Sequence, residues 1–102
     1  MNVLPKDFED GWEYKYVCFQ DGQVLFIDAC DRYSNHSDLV AQYPESPPLS
    51  AGKIKVFHGT PWLCQFSDRG SFTANLKSHD DDEKLIQNAL GSGFAFSEDY
   101  IY

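Results

Sequence analysis

The sequence predicts an α+β domain: a mainly antiparallel sheet of about five strands with two helices on one face, in the order ββα-βββα. Three observations carry this reading. Short runs of aromatic and β-branched residues recur between Gly, Asp and Pro turn signals. Two of these runs are joined by a tight turn, which forces antiparallel pairing. Only two segments combine helix-start chemistry with apolar residues at helical spacing. The chain has 102 residues, of which 42% are apolar and 24% charged, so residues 1–102 are expected to form one domain with a core of its own.

Residues 1–12 read as an acidic, irregular lead-in, with Asp7, Glu9 and Asp10 around Phe8 and Trp12. Residues 13–28 form a β-hairpin. Tyr14 to Phe19 is strand-like, Asp21-Gly22 fits a type I′ turn, and Val24 to Ile27 returns. A short helix starts after Asn35, whose side chain caps the first turn with Asp38 three residues on, and Pro44 stops it. Residues 44–48 read as a stiff surface loop. From Gly52 the alternation of Lys53 and Lys55 with Ile54 and Val56 gives a half-buried strand. Trp62 to Phe66 is a fourth strand, and Phe72, Ala74 and Leu76 alternate as a fifth. The second helix opens at a Ser78 cap, carries Asp80 to Glu83 where the helix dipole favours acids, and ends at Gly91. Residues 92–102 read as a late strand around Phe94 and Phe96 or as a docked tail.

Sixteen acids against eight bases leave a formal net charge of −8. Nucleic acid and anionic membranes are therefore not expected as partners, because both need clustered cations. The closest cationic pair is Lys53 and Lys55, which share one strand face. A basic protein partner suits the charge better. The longest apolar run, Val24-Leu25-Phe26-Ile27, is far too short for a membrane span. The stretch from Met1 to Asp10 lacks the hydrophobic block of a signal peptide, so the expected compartment is the cytoplasm. Three cysteines, Cys18, Cys30 and Cys64, form no disulfide framework and no zinc pattern.

Cys30 with His36 is the pairing that suggests nucleophilic chemistry, but Asp28 and Asp31 flank the thiol and disfavour the thiolate. The three histidines have no metal-ligand spacing, and His79 to Glu83 points in divergent directions on a helix. Gly91-Ser92-Gly93 reads as a helix end, without the third glycine of a dinucleotide cradle. No catalytic residue, metal or cofactor is expected.

The aromatics are more informative. There are 8 Phe, 6 Tyr and 2 Trp, and several lie outside the regular elements: Phe8, Trp12, Tyr33, Tyr43, Tyr100 and Tyr102. Such residues are enriched where a ring faces a partner. The expected function is binding without catalysis, through Trp12, Tyr100, Tyr102 and the acidic edge of Asp80, Asp81, Asp82 and Glu83. In size and charge the chain is similar to small acidic immunity, inhibitor and accessory proteins, a likeness that no motif carries. The alternative is a small-molecule binder or small enzyme, with an aromatic-lined pocket over the sheet that holds His58, Asp28 and Arg32. A homodimer fits both readings, since strand edges need cover.

Overall fold

A computed structural model describes residues 3–30, 35–69 and 76–96. They form a five-stranded sheet in the order β2-β1-β3-β4-β5. The strands are β1 (Glu13–Phe19), β2 (Val24–Asp28), β3 (Pro48–Phe57), β4 (Trp62–Arg69) and β5 (Phe94–Phe96). The first three pairings are antiparallel, and β5 runs parallel to β4. Two helices, α1 (His36–Gln42) and α2 (Asp82–Leu90), complete the α+β fold. The strand expected at Phe72–Leu76 falls outside the described residues except for Leu76, which packs on the α1-side core. The late strand around Phe94 and Phe96 is β5.

The β1–β2 hairpin pairs Tyr16 with Phe26 and Cys18 with Val24. Its turn is longer than the two-residue loop expected from Asp21-Gly22. Phe19 N–H donates to Gln23 O (2.8 Å), Gly22 N–H donates to Phe19 O (3.0 Å), and Gly22 takes φ 94°. A three-residue loop ending on a left-handed glycine also suits the twist of the strands. Asp21 Oδ1 accepts the Gln23 N–H and holds the turn from within.

The helices lie on opposite faces of the sheet, which corrects the expectation that they share one. Val17, Phe19, Leu25, Ile27 and Ala51 form a core with Leu39 of α1. Tyr14, Tyr16, Cys18, Phe26, Ile54, Val56, Cys64 and Phe66 form another with Ile86 of α2. Strand topology explains the division. β2 and β3 run parallel with β1 between them, so α1 is a crossover, and α2 is the crossover from β4 to β5. The two crossovers step the same way across the sheet but leave from strands of opposite direction. A single right-handed sense then requires opposite faces. The unbroken apolar run Val24–Ile27 is the local sign of it, because a strand buried on both faces loses its alternation.

Helix α1 starts as its residues predict. Asn35 accepts from Asp38 N–H, and Asp38 Oδ2 accepts from Asn35 N–H at 2.7 Å, completing a capping box. Helix α2 begins at Asp82, later than a Ser78 cap would place it. The reason is tertiary. Asp82 is fully buried and accepts from Tyr16 Oη of β1 (2.6 Å) and Ser50 Oγ of β3 (2.5 Å). Tying the first helical residue to the sheet fixes where the helix begins. Gly91, with φ 89°, ends it as expected.

The lead-in belongs to the core. A 3-10 turn, Pro5–Asp7, delivers Phe8 to a buried place, stacked on Tyr14 (4.3 Å) and edge-on to Phe26 (5.2 Å). Val3 N–H donates to Phe26 O at the outer edge of β2. Of the surplus aromatics, Phe8 is therefore core and Tyr43 packs edge-on against Phe19 (4.9 Å). Tyr33, Tyr100 and Tyr102 lie outside the described residues.

Candidate binding surface at the Trp12 end of the sheet

Backbone bonds carry the β1–β3 pairing back beyond Glu13. Gly11 N–H donates to Val56 O (2.7 Å), and Val56 N–H donates to Trp12 O (3.0 Å). Asp28 ends β2 opposite Tyr14. The register therefore gathers Trp12, Asp28 and the loop after β3 at one end of the sheet. Trp12 Nε1–H donates to Asp28 Oδ1 at 2.9 Å, and the Cys30 N–H donates to the same oxygen at 2.8 Å. The Asp10 carboxylate accepts the His58 N–H at 2.7 Å. The His58 ring meets Trp62 edge-on at 4.9 Å, and Trp62 leans on Phe94 at 5.8 Å.

Two sets of residues that the sequence assigns to rival readings thus converge. Trp12 belongs to the expected partner surface, and Asp28 and His58 to the expected pocket. The Trp12 side chain is 37% exposed although its indole N–H is held. A tethered, half-exposed ring loses little rotamer freedom on contact, which favours binding. Asp10 is not among the residues that the sequence singles out. Only its placement against His58 reveals it.

The other expected residues fare differently. Asp80, Asp81 and Glu83 are exposed at the start of α2, whereas Asp82 points into the core and cannot join a surface edge. Tyr100, Tyr102 and Arg32 lie outside the described residues. A trough of about 320 Å³ runs along the β2 edge, with Leu4, Val24, Phe26 and Ala89 among its walls. A second, of about 420 Å³, lies between α2 and Phe96. His58 and Asp28 line neither.

The thiols divide by place. Cys18 and Cys64 are buried, and Cys30 is exposed. His36 is buried at the start of α1, with its Nε2 2.8 Å from Gly52 O. Burial, with the Asp82 carboxyl nearby, pushes the Cys18 thiol up to about 12 despite a hydrogen bond with Ser50. Burial alone pushes Cys64 up to about 12. Burial also raises the Tyr14 hydroxyl, partly offset because its oxygen accepts the Glu9 N–H at 2.8 Å. Among the described residues no group of His, Cys, Asp and Glu is arranged to hold a metal ion. No described helix is long and apolar enough to cross a membrane. No family model, curated protein or solved structure matches the chain.

Proposed function

We propose that this protein works by binding another protein, without catalysis, and that Trp12 anchors the contact. The observation that supports this reading is the Trp12 ring, 37% exposed while its N–H is tied to Asp28. Indole is a frequent anchor because it combines large apolar area with few torsions to freeze. Asp10 and Asp28 nearby, on a chain of net charge −8, favour a partner with a basic rim and speed the encounter. A small-molecule reading gains no support from the two troughs, since neither His58 nor Asp28 lines them.

The test is affinity capture from the native host, with wild-type protein beside Trp12→Ala. The expected result is a stoichiometric partner retained by the wild type, weakened by salt, and lost from the variant. Thermal melting of the variant should stay within about 4 °C of the wild type, the shift that about 1 kcal/mol produces. Retention of the same partner by both proteins would remove Trp12 as the anchor. A variant that unfolds would make Trp12 a core residue instead.

A further inference from the structure

We propose that the open end of the α1-side sheet face is a second docking surface, built for an acidic, aromatic-bearing segment of a partner protein. Helix α1 has seven residues, so it is only about 10 Å long, against strands spaced about 4.8 Å apart. It packs mainly on β1 and β2 and reaches β3 at Gly52 through His36, so among the described residues no helix lies over the β3–β4 positions beyond it. On that half the same-face positions are Lys53, Lys55 and Phe57 of β3, with Leu63 and Gln65 of β4 opposite Phe57 and Lys55. Leu63 is 45% exposed.

The charge on this face is the telling feature. The chain has two acids for every base, yet neither Lys53 nor Lys55 meets a carboxylate among the described residues. Lys55 has Glu13 directly across on β1, but Glu13 accepts from Ser67 Oγ, and the Lys55 ammonium sits 5.7 Å over the Phe57 ring. Lys53 stands directly opposite Lys15 on β1. On its other side it stands opposite Asp68, next to the point where the β3–β4 register shifts. Like charges at opposed positions destabilise a sheet. Lys15 has a contact of its own, which leaves Lys53 and Lys55 for a partner.

The Lys55 ammonium over Phe57, with Leu63 across from that ring and Lys53 two positions along the same strand face, fits carboxylates interleaved with apolar side chains. A second copy of this chain fits less well. Of its exposed acids, Asp80, Asp81 and Glu83 stand at the start of α2, and Asp7, Glu9 and Asp10 stand in the lead-in that packs on the α2-side core through Phe8, both on the far side of the sheet from these lysines. Such contacts would run head to tail and would not close as a dimer. A nucleic acid also fits less well, since the −8 charge repels a polyanion and two lysines neutralise few phosphates.

The experiment uses the full chain and a fluorescein-labelled peptide of alternating glutamate and phenylalanine. A glutamine-for-glutamate counterpart and an oligothymidylate serve as competitors, and amide NMR shifts locate the contact. The expected result is salt-sensitive binding with shifts centred on residues 53–57 and 63–65. Lys53→Glu with Lys55→Glu should weaken it roughly tenfold or more, and Lys53→Gln with Lys55→Gln by less. Trp12→Ala should leave it unchanged, which separates this surface from the Trp12 contact. Failure of the acidic peptide to bind the wild type would overturn the assignment. So would equal competition by the glutamine peptide, charge reversal without effect in a folded variant, or tighter binding of oligothymidylate.

Discussion

On the α2 side of the sheet, buried apolar side chains run without a break from Val24 on β2 to Phe66 on β4. On the α1 side they extend to Ala51, and the next same-face position on β3 is Lys53. The same strands supply both faces, so the difference lies in what covers them. Three pieces close the α2 side: helix α2, the Phe8 segment, and the Phe94 and Phe96 rings of β5. Among the described residues, one short helix and Leu76 cover part of the other. A sheet face is apolar only as far as its lid reaches, and where the lid stops the residues become those a second molecule can read.

The largest test of that contrast is Asp82→Ala. It leaves the Tyr16 and Ser50 hydroxyls buried without their acceptor, so we expect a loss of about 4 kcal/mol in urea unfolding. A loss below about 1 kcal/mol would mean that the α2 lid is held by its apolar contacts alone. Next come the two helix anchors, both fully buried. Ile86→Ala should cost about 3 kcal/mol and Leu39→Ala about 2, because the thinner α1 layer relaxes more easily around a cavity. A reversed order would make α1 the tighter lid.

A smaller effect concerns the thiols. In the native protein an alkylating reagent near neutral pH should modify Cys30 and spare Cys18 and Cys64 until the chain unfolds. With folded values raised from 9.0 to about 12, the buried thiols keep protons that the unfolded chain releases. Their contribution to stability is full below about pH 9 and is lost as pH rises toward 12. Alkylation of all three thiols in the native state would show that the α2 lid, which covers both buried thiols, opens readily.

The smallest effect lies at the hairpin turn. Tyr43 Oη donates to Asp21 Oδ2 at 2.5 Å, and this bond is the main cause that lowers the Asp21 carboxyl and raises the Tyr43 hydroxyl. Asp21 therefore stabilises the fold above the ordinary carboxylate range, and the effect fades as pH falls through its lowered value. Tyr43→Phe should return Asp21 toward its ordinary titration, read by carboxyl NMR. An unchanged titration would show that the Gln23 N–H, not Tyr43, holds the Asp21 carboxyl down.

Local chemistry is legible in the sequence where its partners are near in the chain. The hairpin, the Asn35–Asp38 capping box and the Gly91 stop all depend on residues within a few positions of one another. Asp82 is not legible, because an acid in a run of four reads as a solvated first turn. Its partners, Tyr16 and Ser50, lie 66 and 32 residues away. Phe8 escapes for a related reason, since an irregular segment has no period to show which way a ring points. The opposite placement of the helices requires strand order, which no local pattern contains. At the Trp12 end Trp12, Asp28 and His58 are individually conspicuous and Asp10 is not, and their convergence follows only from the β1–β2 and β1–β3 registers.

The bond from Val3 N–H to Phe26 O joins the lead-in to the outermost strand of the sheet. That strand holds the most apolar run in the chain, Val24-Leu25-Phe26-Ile27, in an extended shape ready to pair with another molecule. Val3 occupies one of its outward backbone acceptors, and Pro5, which has no N–H, stands beside the same trough. The lead-in thus covers part of an edge that would otherwise offer itself to another strand. Trimming the chain through Pro5 should leave the fold's secondary structure in place but raise light scattering on standing above that of the full chain.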